Sequence, residues 1–61
     1  MKGFIKVHQT NNQLTYINVS NILIFYRSID CVKILLVDNV EIECTQTLED
    51  LEKLLYNASV S

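Results

Sequence analysis

The chain has 61 residues, of which 49% are hydrophobic, and it contains seven acidic residues, five basic residues, one glycine and no proline. This length allows one domain, residues 1–61, whose core is small enough to need support from disulfides, a metal or association. One histidine and two cysteines fall short of a four-ligand zinc site and of a disulfide scaffold, so association is the support we expect.

Five segments have the alternating or continuously apolar pattern of β-strands. They are residues 4–9, 14–19, 22–27, 31–37 and 40–45. Short polar segments rich in asparagine separate them, and asparagine tolerates the left-handed backbone angles that glycine would otherwise provide. The pattern therefore predicts antiparallel strands joined by tight turns.

After the last strand the hydrophobic period changes to that of a helix. Thr47 is a suitable N-cap, with Asp50 in the capping-box position. Leucines 48, 51, 54 and 55 fall on one helical face. We expect a helix over residues 47–57, a frayed end at residues 59–61, and an α+β fold in which a small antiparallel sheet of four to five strands carries this C-terminal amphipathic helix on one face.

A two-residue loop at Asp38-Asn39 predicts the register of the last hairpin. It places Leu35 and Lys33 opposite Ile42 and Cys44 on the face that receives the helix. The opposite face then pairs Leu36 with Glu41, Ile34 with Glu43 and Val32 with Thr45. That face is apolar with a charged border, and we expect it to meet a second subunit. The predicted interface residues are Ile24, Tyr26, Val32, Ile34 and Leu36.

Several residues have the chemistry of a catalytic or redox site. Cys31 and Cys44 are candidates for a redox pair, but the predicted register separates them by about 7–8 Å, so structural thiols are the simpler interpretation. His8, the only histidine, has no nucleophile beside it in the chain, and we interpret it as a surface or partly buried imidazole. Glu41 and Glu43 have the spacing of paired carboxylates on a strand, but no cleft is indicated.

Charge is distributed unevenly along the chain. Residues 1–29 contain three bases and no acid, whereas residues 30–61 contain all seven acids against Lys33 and Lys53, so the two parts carry +3 and −5. The simple interpretation is a β-rich part followed by an acidic helix. The alternative is charge complementarity between subunits packed head to tail. A weakly acidic chain makes nucleic-acid binding unlikely, even though Tyr16, Phe25 and Tyr26 lie near bases.

No stretch approaches the roughly 18 apolar residues that span a membrane. The N-terminus has no apolar segment typical of a signal peptide. The single glycine excludes glycine-rich phosphate loops. We therefore expect a cytoplasmic protein without membrane contact, metal or cofactor.

Two families share parts of this pattern. The shared pattern begins at Asn18-Val19-Ser20-Asn21-Ile22, continues through the hairpin and ends at Thr47-Leu48-Glu49-Asp50-Leu51-Glu52. With this pattern, nearly the whole chain resembles the small bacterial FlbD-like flagellar proteins. The same stretch resembles part of the LytTR DNA-binding domain. The FlbD-like resemblance implies strands followed by a short helix and transfers no functional residues.

We therefore expect a non-enzymatic, self-associating interaction or regulatory module, a homo-oligomer that could also bind another protein. A transcriptional regulator of LytTR type that binds nucleic acid is the first alternative. A small enzyme or ligand carrier is the second.

Overall fold

The structure is a computed structural model that describes residues 3–60. Its elements are β1 (Phe4–His8), β2 (Leu14–Asn18), a 3₁₀ turn (Val19–Asn21), β3 (Ile22–Arg27), β4 (Val32–Leu36), β5 (Glu41–Cys44) and α1 (Leu48–Val60). The α+β class is confirmed, and so are five antiparallel strands and the C-terminal helix. The strands form two sheets, β1–β2 and β3–β4–β5. Lys2, which contributes to the basic charge of the first part, and Ser61 at the predicted frayed end lie outside the described residues.

The two sheets meet where β1 and β5 run side by side. Gln9 forms an isolated antiparallel bridge with Cys44, and the Thr45 N–H donates to the His8 carbonyl at 2.8 Å. The Gln46 side chain extends this contact, because its Oε1 accepts from the His8 N–H at 2.9 Å and its Nε2 donates to the Lys6 carbonyl at 3.0 Å. The Gln46 amide thus bonds two backbone groups of β1 that a neighbouring strand would otherwise bond.

A single hydrophobic core lies between the sheets and the helix. Alternate residues of β1, β4 and β5 point into it, as the two-residue period of a strand requires. Its buried members are Ile5, Val7, Ile17, Val32, Ile34, Ile42, Cys44, Leu51 and Ala58. The outer faces of both sheets therefore point away from this core.

Asparagine takes the place of glycine at two turns, as predicted. Asn12 has φ 71° and Asn39 has φ 69°, both in the left-handed region. That region costs an ordinary L-residue about 1–2 kcal/mol, and asparagine tolerates it better than most. The near-absence of glycine is therefore compatible with a fold of tight turns.

The predicted register of the β4–β5 hairpin is wrong by one residue. Val32 pairs with Cys44 and Ile34 with Ile42. The Asn39 N–H donates to the Leu36 carbonyl at 3.0 Å and the Leu36 N–H donates to the Val40 carbonyl at 2.9 Å. This is a three-residue loop in which a β-turn is followed by a left-handed residue, and not the predicted two-residue loop.

The changed register exchanges the two faces of β4. Val32 and Ile34 are buried in the core and Leu36 packs against it, so none of these three side chains forms the predicted subunit surface. Strand β5 keeps its predicted faces, with Ile42 and Cys44 directed inward. The alternation of β4 could not decide its orientation, because both of its faces are largely apolar.

The helix begins as predicted and ends later. Thr47 Oγ1 accepts from the Asp50 N–H at 3.1 Å, and Asp50 Oδ2 accepts from the Thr47 N–H at 3.4 Å, which completes the capping box. The last turn continues to Val60, beyond the predicted end at residue 57. Ala58 is buried, so packing of this extra turn on the core accounts for the longer helix.

Candidate interaction surface

The outer face of the three-stranded sheet is the most distinctive surface of the molecule. The register places Ile24 beside Leu35, Tyr26 beside Lys33, and Lys33 beside Glu43. We call this face the three-stranded outer surface. Its residues are Ile24, Tyr26, Lys33, Leu35, Glu41 and Glu43. Two of the predicted interface residues, Ile24 and Tyr26, belong to it.

One end of this surface is a small polar network. The Tyr26 hydroxyl donates to Glu41 Oε2 at 2.6 Å. Lys33 Nζ lies 3.7 Å from Glu41 Oε1 and 3.8 Å from Glu43 Oε2. The hydrogen bond to Glu41 raises the pKa of Tyr26 above its ordinary value, and the charge of Glu41 raises the pKa of Lys33. The network fixes the Tyr26 ring and leaves one negative charge, since a single lysine faces two carboxylates.

The rest of the surface is apolar and open. Ile24 is 52% exposed. Among the described residues, ten large hydrophobic side chains are exposed, and six of them lie on the three-stranded sheet or in its turns. These six are Leu23, Ile24, Tyr26, Ile29, Val37 and Val40. Ile24 and Tyr26 lie on the three-stranded outer surface itself, Leu23 lies elsewhere on β3, and the other three lie in the turns. Exposed apolar residues that share one face are typical of interaction surfaces.

Strand β3 borders this surface as an edge strand. Within residues 3–60 it pairs only with β4. An irregularity between Ile22 and Ile24 turns Leu23 outward, whereas pairing from Ile24 to Arg27 is regular. No proline interrupts the strand and its only charge is Arg27, so the edge has few of the features that prevent pairing with another chain.

The other sheet has an outer face of different character, which we call the β1–β2 outer surface. Phe4, Lys6, His8, Leu14 and Tyr16 are exposed there, and Lys6 lies directly across from Tyr16. Lys6 gives this face a positive charge, and none of its five residues is acidic, because the residues before Asp30 include no acid. The molecule therefore presents one apolar surface with positive charge and another with negative charge.

Both cysteines line a groove of about 450 Å³ next to the start of α1. Cys44 is fully buried and its Sγ–H donates to the Val32 carbonyl at 3.3 Å, and burial raises the pKa of this thiol. Cys31 is half-buried, and both thiols are free. Burial was expected of both thiols, and the structure confirms it for Cys44 but not for Cys31.

The residues with catalytic chemistry do not form one constellation. The side chain of His8 is exposed and Cys44 is buried, while Glu41 and Glu43 bind Lys33. Three or more potential metal ligands do not cluster anywhere in residues 3–60. The sequence prediction placed Leu35 on the face that receives the helix, whereas the structure places it on the three-stranded outer surface. Lys33, the only charged residue of β4, lies on the same face and could have indicated that this face points outward.

Comparisons with protein-family models, curated proteins and solved structures find no match to this chain. None of the helices in the described part is both long and apolar enough to cross a membrane.

Proposed function

We propose that this protein is a non-enzymatic cytoplasmic module that associates with copies of itself through the three-stranded outer surface and the neighbouring edge of β3. The observation that carries the proposal is that six of the ten exposed large hydrophobic side chains among the described residues lie on this sheet or in its turns, with Ile24 and Tyr26 on the outer surface itself. Covering them gains roughly 25 cal/mol for each Å² of apolar area removed from water. A chain of this length has little core of its own to provide stability.

The polar network supports the same surface. Because Tyr26 is already held by Glu41, its ring loses little freedom when another surface packs on it, and this lowers the entropic cost of association. Two free thiols fit a reducing compartment. The resemblance to FlbD-like proteins fits a small bacterial protein and transfers no functional residues.

The experiment compares two lysine substitutions at exposed apolar positions. Ile24→Lys places a charge in the proposed contact, and we expect the association constant from sedimentation to fall at least about tenfold, a cost of about 1.4 kcal/mol. Tyr56→Lys on α1 is the matched control, because Tyr56 is 67% exposed and lies outside the sheet. Circular dichroism and thermal unfolding check that both variants fold.

Equal association of Ile24→Lys and the natural chain would contradict the proposed surface. Equal loss in both variants would also contradict it, since the effect would then be one of added charge and not of position.

A further inference from the structure

From the charges of the two outer surfaces, we propose that the three-stranded outer surface binds the β1–β2 outer surface of a second copy of this chain. This rests on the proposed function and names its partner. The contact joins two unlike surfaces, so it either closes into a ring or continues into an open filament.

Charge complementarity distinguishes this contact from one between like surfaces. Lys33 balances only one of the two carboxylates, Glu41 and Glu43, that it contacts, so the three-stranded outer surface keeps one negative charge. Lys6 gives the β1–β2 outer surface one positive charge. Lys33 is the only base that forms an ion pair within residues 3–60, so Lys6 has no carboxylate partner among these residues.

The apolar parts of the two surfaces also match in kind. Each combines an aromatic ring with an aliphatic side chain, Tyr26 with Ile24 on one and Tyr16 with Leu14 on the other. Stacked sheets lie about 10 Å apart, a distance at which side chains from both faces interdigitate. The charged groups of lysine and glutamate in such a layer lie within one Debye length of each other, about 8–10 Å, so salt screens their attraction only in part. Two copies of the same surface would bring like charges together instead.

The test exchanges charges between the surfaces. Lys6→Glu makes both outer surfaces negative, and Glu43→Lys makes both positive. Each variant alone is expected to associate at least about tenfold more weakly than the natural chain. An equimolar mixture of the two is expected to recover association, because each contact between unlike variants again joins opposite charges.

The remaining outcomes separate this inference from the proposed function. If Ile24→Lys disperses the assembly but Lys6→Glu does not, the partner surface is wrong and the proposed function stands. If the mixture fails to recover association, the contact between unlike surfaces is also wrong. If the natural chain does not associate at all, both proposals fail.

Single-stranded nucleic acid is a competing ligand for the β1–β2 outer surface, because exposed aromatic side chains next to a basic side chain such as Lys6 can stack on nucleotides. The inference would be overturned by two results together: the protein binds an oligonucleotide at low salt and Lys6→Glu abolishes this binding, while Lys6→Glu does not change the mass of the protein alone. These results would assign the β1–β2 outer surface to nucleic acid. We expect the oligonucleotide to leave both the mass and the mobility of the protein unchanged.

Discussion

At the residue scale, the hydrogen bond between Tyr26 and Glu41 links ionisation to folding. The pKa of Tyr26 is raised above its ordinary value of 10.0, first by the hydrogen bond to Glu41, and the pKa of Lys33 is raised above 10.5, first by the charge of Glu41. A group whose pKa is raised in the folded state favours its protonated form there. Both contributions to stability are therefore complete below the unfolded pKa values and are lost as pH rises through the folded ones.

We predict that Glu41→Gln lowers the pKa of Tyr26 toward its ordinary value. The substitution removes the carboxylate that accepts the phenolic hydrogen bond and that repels the phenolate. Alkaline titration followed by tyrosine absorbance measures this, and Tyr26→Phe identifies which part of the curve belongs to Tyr26. A curve that Glu41→Gln leaves unchanged would show that the hydrogen bond does not form in solution.

At the element scale, most boundaries could be predicted and one orientation could not. Strand β3 was predicted without error at both ends, and β5 was assigned its correct faces because Glu41 and Glu43 alternate with Ile42 and Cys44. Because β4 is largely apolar on both sides, its hydrophobic pattern did not determine which face points to the core, and the prediction depended on the assumed loop length. The loop has three residues and not two, so the face of β4 that points outward is the opposite of the predicted one. A register error of one residue moves every side chain of the slipped strand, here β4, to the opposite face.

The left-handed backbone at Asn39 gives a test of the observed hairpin. We predict that Asn39→Ala destabilises the protein by about 1 kcal/mol, because alanine pays the steric cost of a positive φ. Asn39→Gly removes that cost, and its stability should equal or exceed that of the natural chain. Denaturant unfolding of the two variants measures the difference. Equal stabilities for alanine and glycine at this position would contradict a left-handed Asn39.

The junction between the two sheets includes, beside its backbone hydrogen bonds, one side chain that sequence patterns did not identify, that of Gln46. We predict that Gln46→Ala costs about 1–2 kcal/mol, since it removes the partners of the His8 N–H and the Lys6 carbonyl. Gln13→Ala in the β1–β2 loop is the control, because the Gln13 side chain makes only a 3.5 Å contact with Asn11. A loss no greater for Gln46→Ala than for this control would mean that the sheets are held together without the amide.

At the scale of the whole molecule, the two outer surfaces are the contacts proposed for self-association. The sequence indicated that apolar residues exceed what one small core can bury, and that the first part of the chain is basic and the second acidic. It could not show which of these charges lie on the outer faces of the sheets, because that depends on strand register. Lys6 lies on the β1–β2 outer surface and Glu41 and Glu43 lie on the three-stranded outer surface, whereas Arg27 lies on β3 and three of the acids lie on α1.

The most direct test of the central claim is the mass of the natural protein in solution as a function of concentration. The monomer has a mass of 7.0 kDa. Sedimentation equilibrium is expected to give an average mass above this value that increases with concentration through the micromolar range, and Ile24→Lys should return it toward the monomer. A mass that stays at that of the monomer at every concentration would contradict self-association.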